Sequence, residues 1–435
     1  MPAHLTGVLA RLGFETPTAI QAAALPDALA GRDILGRGRT GSGKTYAFLL
    51  PLVARLSSGS RARAKAPRAL VLAPTRELAS QIEAALAPLA RAAGLTSQTV
   101  FGGVGQNPQV TALRRGVDVV VACPGRLEDL IGQGHCTLSS IEITVLDEAD
   151  HMADLGFLPA VRRLLNQTPG DGQRLLFSAT LDRAVDTLAR QFLTNPATHV
   201  ADPTPAATST MAHHVLHISR EQRLDILVDL TSAPGRTMVF TRTKHGAKAL
   251  ARQLSRAGVP AVELHGNLSQ NARTRNLAAF HSGRAKALVA TDIAARGIHV
   301  DDVALVIHAD PPSEHKAYLH RSGRTARAGS SGTVVTLATR EQARDVRALT
   351  RAAGITPSTT QIDGVRHPAL AQLAPGERVL SEHREPAAPA GQPTRTPSSP
   401  QRRRNRRTGR RPATGPAASP SRRGHSAAGF SAGRR

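Results

Sequence analysis

Aromatic residues make up only 3% of this 435-residue chain, with no tryptophan, two tyrosines and nine phenylalanines. Leu, Val, Ile and Ala must therefore build the cores, and stacking of bases on rings is excluded as the main way of holding a nucleic acid. Cysteine is nearly absent: Cys123 and Cys136 cannot form a disulfide framework, and they fit a reducing, cytoplasmic compartment. No run of ~18 apolar residues occurs, so no membrane association is expected. The opening "MPAHLTGVLARLGF" does not have the form of a secretory leader. Acids are missing altogether from residues 386 to 435, which hold twelve arginines and no lysine. That segment carries half of the formal net charge of +24. Being rich in Pro, Gly, Ser and Ala, it cannot bury enough apolar surface to offset its ordering entropy, and it reads as a disordered tail drawn to polyphosphate backbones.

From about 30 to 200, short apolar runs alternate with helical patterns: "DIL" at 33, "ALVLAP" at 69, "SQTVF" at 97, "VDVVVAC" at 117, "ITVL" at 143, "RLLFSA" at 174 and "ATHV" at 197. Such alternation predicts βαβ units and a parallel sheet. A Pro/Thr/Ala stretch at 201 to 212 reads as a linker. A second series then follows: "HHVLHIS" at 213, "RTMVF" at 236, "AVEL" at 261, "KALVAT" at 286, "VALVIH" at 303 and "GTVVTLA" at 332. Two similar α/β domains are expected, at 1 to 200 and 213 to 360, with a disordered basic tail over 361 to 435.

"GRTGSGKT", Gly38 to Thr45, fits the pattern of a phosphate-binding loop between a strand and a helix. Gly38, Arg39, Thr40, Gly41, Ser42 and Gly43 would turn backbone N–H groups toward phosphate oxygens. Lys44 would reach the β/γ-phosphates and Thr45 would ligate Mg²⁺. About 100 residues later, "ITVLDEADHM" (143 to 152) places three acids, Asp147, Glu148 and Asp150, directly after an apolar run. The carboxyl end of a strand is where open α/β sheets bind ligands. There Asp147 would hold Mg²⁺, and Glu148 would orient and deprotonate a water attacking a γ-phosphate. "DEAD" by itself would read as a solvated helix start.

With these residues the chain resembles the DEAD-box RNA helicase family over roughly residues 5 to 345. "GFETPTAIQ" (13 to 21) looks like its Q motif, "GRTGSGKT" its motif I, "PTRELA" (74 to 79) its motif Ia, "DEAD" its motif II and "SAT" (178 to 180) its motif III. "GG" (102 to 103) and "CPGR" (123 to 126) look like its RNA-contacting loops. In the second half "VFTRT" (239 to 243), "QNAR" (270 to 273), "TDIAARG" (291 to 297) and "HRSGRTARAG" (320 to 329) are similar to motif IV, Q-x-x-R, motif V and motif VI. Any one of these is weak; their shared order and spacing are specific.

The resemblance implies two tandem RecA-like domains, an ATP hydrolase coupled to local unwinding of short RNA duplexes, ATP and Mg²⁺, and a monomer. It leaves ribosome-assembly and RNA-decay partners open. It implies adenine reading by Gln21, whose amide offers a donor and an acceptor. Arginine fingers are implied at Arg324 and Arg327, with Ser178, Thr180 and His320 completing the catalytic set. RNA backbone contacts are implied at Pro74, Thr75, Arg76, Gly102, Gly103, Pro124, Gly125, Arg126, Arg242, Gln270, Arg273 and Thr291.

Four departures stand out. The family's aromatic about 17 residues before the Q-motif glycine has no counterpart before Gly13, so either adenine packing is weaker or the true start lies upstream. Gly38 replaces a usual Ala, and Ala326 a usual Gly. His299 occupies the place of an acid that contacts the ribose, and Asp301, two residues on, cannot be assumed to replace it. The rival readings are a nucleotide-gated RNA clamp without strand separation and a DNA translocase of the same superfamily. Deleting residues 386 to 435 is expected to weaken RNA affinity and flatten its salt dependence while the RNA-saturated ATPase rate stays near that of the full chain. Equal salt slopes for the two proteins would count against a binding tail.

Overall fold

The structure, a computed structural model, describes residues 1–38, 41–201, 211–298, 300, 303–326 and 331–381. Seven parallel strands form the first sheet: β1 (Ile34–Gly38), β2 (Ala69–Leu72), β3 (Ser97–Val100), β4 (Val119–Ala122), β5 (Ile143–Leu146), β6 (Gln173–Ser178) and β7 (Ala197–Ala201), in the order β3-β4-β2-β5-β6-β1-β7. The second has β8 (Met211–His217), β9 (Thr237–Phe240), β10 (Ala261–Leu264), β11 (Ala287–Ala290), β12 (Leu305–His308), β13 (Gly332–Ala338) and β14 (Ser358–Gln361), in the order β10-β11-β9-β12-β13-β8-β14. Each strand of the second sheet takes the place of the strand seven earlier in the first. The expected pair of similar α/β domains is present, and the thirteen apolar runs coincide with β1 to β13.

Both faces of each sheet are covered, which explains why the central strands read as unbroken apolar runs. Every residue of β2, β4 and β5 is buried. Ile34, Val71, Val145 and Phe177 pack on one face of the first sheet, whereas Leu72, Val120, Leu146 and Leu176 pack on the other. β5 lies between β2 and β6, so the chain that leaves it emerges at the middle of the sheet's carboxyl edge.

The expected linker is shorter than 201 to 212: Ala201 closes β7 and Met211 opens β8, while 202–210 lie outside the described residues. The expected boundary at 360 needs correction as well. β14, "STTQ", is an exposed polar strand paired only with β8 at the sheet edge, and so it carries no apolar signature. Beyond it Ile362, Leu370 and Leu373 join the second core, and Arg378 holds Asp229 through Nε at 3.0 Å and Nη2 at 2.9 Å. Residues 361 to 381 therefore belong to the second domain. Residues 382–435, the rest of the expected tail, lie outside the described residues.

Burial also sets the character of several titrating groups. It pushes both thiols, Cys123 and Cys136, up to about 12, with the Glu77 charge adding to the effect on Cys123. In the second domain His308 lies fully buried, its Nδ1 3.0 Å from Thr336 Oγ1 and its ring 4.8 Å edge-on from Tyr318. His213 Nδ1 is 3.1 Å from Tyr318 Oη. Burial, with His214 nearby, lowers His213 to about 4; burial, with Arg321 and His213 nearby, holds His308 well below its ordinary value. Unfolded histidine titrates near ~6.5, so between there and the folded values the unfolded chain binds more protons. Stability is then lost as pH falls through this window, by at most about 1.4 kcal/mol per pH unit for each histidine. The thermal midpoint is expected to drop between pH ~7 and ~5, and His308→Leu to reduce that slope. Identical slopes in the two proteins would show that burial of His308 is not coupled to acid unfolding.

Candidate active site

Left-handed glycines make the turn between β1 and the helix Lys44–Leu56: Gly41 has φ 87° and Gly43 φ 91°. Gly43 admits no side chain, because a Cβ there would lie 2.5 Å from Thr18 Oγ1 and 2.7 Å from Gln21 Nε2. These contacts come from the start of the helix Ala19–Leu29, where Thr18 and Gln21 form a capping box. Gln21 Nε2 donates to the Gly43 carbonyl at 2.9 Å, and its Oε1 accepts from the Thr18 N–H at 3.0 Å. One amide proton and one lone-pair direction remain for a base, so Gln21 can brace the loop and read a ligand together. Lys44 is buried and donates to the Gly38 carbonyl. Thr45 follows it in the first turn of the same helix. A Cβ on Gly38 would lie 2.7 Å from Ser42 Oγ, so the glycine makes room for that hydroxyl. Arg39 and Thr40 lie outside the described residues.

The acids follow β5 directly. Burial raises Asp147 to about 7, against the attraction of Lys44 and with the Glu148 charge adding to the rise. Burial would raise Glu148 too, but the His151 hydrogen bond and charge, with Lys44 and Arg324, outweigh it and bring Glu148 down to about 2. Any proton held by the pair therefore sits on Asp147. A buried carboxylate in this condition is relieved by a divalent cation, and the carboxylate of Asp147 with the hydroxyl of Thr45 would be the residues to hold Mg²⁺, as hard oxygen donors. Among the described residues there is no group of three or more His, Cys, Asp or Glu that could hold a metal.

Asp150 has a different task. Its Oδ2 accepts from the Thr180 N–H and Oγ1, both at 2.9 Å, and its own N–H donates to Ser178 Oγ at 3.2 Å. Ser178 Oγ in turn donates to the Thr180 carbonyl at 2.7 Å. Ser178 and Thr180, expected in the catalytic set, thus anchor the acidic segment to the end of β6.

Second-domain cations border these acids. Arg324 donates to the Ile298 carbonyl at 2.7 Å, and its charge reaches Glu148. Arg321 forks onto Asp292 at 2.5 and 2.8 Å beneath the Phe240 ring. Ion pairs link the two domains, Arg296 to Asp154 at 2.7 Å and Lys316 to Asp182 at 3.1 Å. His320 sits among Arg296, Arg324, Asp150 and Asp154, and burial, with the two arginines, lowers it. Its Nδ1 is buried without a hydrogen-bond partner among the described residues. Arg327, His299 and Asp301 lie outside the described residues.

A third contact crosses the domains at Glu77. Its Oε1 accepts from Arg273 Nε at 2.7 Å and Gln270 Nε2 at 2.9 Å, while Gln270 Oε1 accepts from Arg76 at 3.3 Å. Burial would raise Glu77, but Arg273 and Gln270 bring it below its ordinary value. Thr75 caps the helix Arg76–Ala92 and also reaches the Gly297 carbonyl at 3.5 Å. Arg76 and Arg126 converge on Gly102 and Gly103, and Arg126 Nη1 has no partner among the described residues. Pro124 starts the helix Pro124–Gly132, and around Gly125 there is open space. Arg242 donates its backbone N–H to Asp310 at 2.8 Å, and Thr291 caps the short helix Asp292–Ala295.

Comparison with known proteins adds an independent line. The profile of the DEAD/DEAH box helicases matches residues 18–188, and that of the helicase conserved C-terminal domain matches 221–329. DEAD-box ATP-dependent RNA helicase 30 of Arabidopsis thaliana is 41% identical over 355 residues, covering 80% of this chain and 60% of that protein. DEAD-box ATP-dependent RNA helicase 20 of the same plant is 38% identical over 80% of this chain and 71% of its own length. This chain belongs to the DEAD-box ATP-dependent RNA helicase family. It spans between about two fifths and three fifths of the length of the first three relatives it matches. Among solved structures, S. cerevisiae Dbp5 bound to RNA and ADP BeF3 is 29% identical with a TM-score of 0.73, covering 83% of this chain and 94% of that one.

Within the DEAD-box frame, Ala326 becomes conspicuous: where the family has Gly, its φ is 56°, a left-handed conformation that strains a residue with a Cβ. Gln270 and Arg273, expected at the RNA backbone, both grip Glu77 of the opposite domain. His151, Glu77, Asp154, Asp182, Arg296 and Lys316 were not legible as functional. Only His151 left a signal, standing three residues after Glu148 on one helical face. Arg273→Ala, which strands Glu77 without its cation, is expected to separate the two domains and reduce stability by about 3–5 kcal/mol, with the double variant Glu77→Ala/Arg273→Ala less damaged. Fluorescence transfer between dyes on the two domains, together with melting curves, checks this; additive losses in the double variant would show that the pair is not coupled.

Proposed function

We propose that the chain is an ATP-dependent RNA helicase that separates short duplexes locally by opening and closing its two domains. The observation that carries this reading is the reach of Arg324, from the second domain, to the buried Glu148 of the first. Hydrolysis then depends on the domains coming together, and closure becomes the step that RNA and ATP control. In the closed cleft Gln21 faces the base, Lys44 binds the β- and γ-phosphates, and Glu148 accepts the proton of the attacking water as its oxygen bonds to the γ-phosphorus and the β–γ bridge breaks. Mg²⁺ held by Asp147 and Thr45 would neutralise charge on the phosphate oxygens. Arg324, joined by Arg327, stabilises the charge that develops. The Arg76, Gly102, Gly103 and Arg126 cluster supports RNA binding through backbone phosphates and 2′-hydroxyls without reading sequence.

The two isolated thiols support a cytoplasmic setting and a chain that works as a monomer is the simplest partner state; an RNA from ribosome assembly or decay would be its substrate class. Glu148→Gln is expected to abolish RNA-stimulated ATP turnover and duplex release while ATP and RNA binding persist. General bases contribute about 10²- to 10⁴-fold, so retention of more than roughly a tenth of the rate would remove Glu148 from the role. An RNA-stimulated ATPase that releases no duplex would favour the clamp.

A further inference from the structure

Glu148 has an unusual backbone, φ 52° and ψ 52°, and it begins the helix Ala149–Asp154 at once. That left-handed turn brings His151 back over it, with Nδ1 3.1 Å from Glu148 Oε2. An ionised carboxylate only accepts, so Nδ1 carries the proton. Nε2 is buried and without a hydrogen-bond partner among the described residues. The imidazole is 5% exposed, and Glu148 is the one hydrogen-bond partner its ring has among the described residues.

We propose that His151 is the positioning residue for Glu148, fixing its carboxylate toward the attacking water; this rests on the reading of Glu148 as the base. Two cations, Lys44 and Arg324, also act on Glu148, and without a competing donor the carboxylate would turn toward either of them and form an ion pair. The Nδ1–H bond to Oε2 resists that rotation and leaves Oε1 directed to the cleft. The same bond makes the carboxylate a weaker proton acceptor, which opposes catalysis. Orientation outweighs this, because a displacement of about 1 Å at a reacting group lowers rates by as much as ~10²-fold, beyond what one hydrogen bond takes from base strength.

The competing view is that His151 only fills space beside Ala149 and Met152, and substitution separates the two. His151→Phe keeps the ring and removes the donor, whereas His151→Asn loses volume but presents an N–H close to the place of Nδ1. Positioning predicts that His151→Phe lowers RNA-saturated kcat about tenfold with KM for ATP, RNA affinity and melting temperature little changed, and that His151→Asn recovers kcat to within about threefold. Space filling predicts the reverse, an active Phe variant and a destabilised, slower Asn variant. A kcat for His151→Phe within about twofold of the unaltered protein, or an Asn variant no faster than the Phe variant, overturns the proposal. Should the Phe variant not fold, His151→Leu replaces it in the comparison on the same terms. Glu148→Gln in the same assay keeps the two readings apart. If Glu148→Gln is inactive and His151→Phe fully active, positioning alone fails; if Glu148→Gln remains active, the base assignment fails and this proposal falls with it.

Discussion

Asp147 and Glu148 stand 3% and 8% exposed at the end of β5, and two adjacent carboxylates withdrawn from water are tolerable only where cations and donors meet them. Much of the surrounding structure answers that demand. Lys44 comes from the phosphate loop, His151 from the next helical turn, and Arg324 from the other domain. The Asp150 carboxylate is met separately by the N–H and hydroxyl of Thr180, while its charge still adds to the rise of Asp147. The strand that delivers the acids must be apolar because it lies mid-sheet, so two ionisable groups follow directly on a buried apolar run.

The second domain repeats the strand order of the first but meets it with basic groups. Arg273, Arg296, Arg324 and Lys316 all face acids of the first domain, at Glu77, Asp154, Glu148 and Asp182. A basic chain thus sets several of its acids where they hold its two domains together. The more exposed of these pairs, Lys316 with Asp182, is screened by solvent and salt, whereas the buried Arg273–Glu77 pair is not.

The sheets were legible because buried parallel strands are continuous apolar runs; "ITVL" could hardly be anything else. β14 was not, since an exposed edge strand of Ser, Thr and Gln looks like a loop, and with it went the true extent of the second domain. The loop and acid residues were legible through their spacing. The contacts across the domains were not, because Glu77 and Arg273 are far apart in sequence and neither residue type announces a partner at that distance. His151 was visible only as one more polar residue on a short helix; its meaning needed the left-handed turn at Glu148. The strain at Ala326 was likewise hidden, since a replacement of Gly matters only once the backbone angle is known.

The buried thiols carry a practical consequence. Cys123 precedes the helix Pro124–Gly132 and Cys136 is buried in the same domain, both with their thiolates suppressed by burial. Only the thiolate reacts with maleimides and mild oxidants, so both sulfurs are poor nucleophiles near neutral pH. Slow reaction of both thiols with such reagents is the expected outcome for the folded chain. A single cysteine introduced on an exposed surface of either domain can therefore carry a probe selectively, and the native pair need not be removed first.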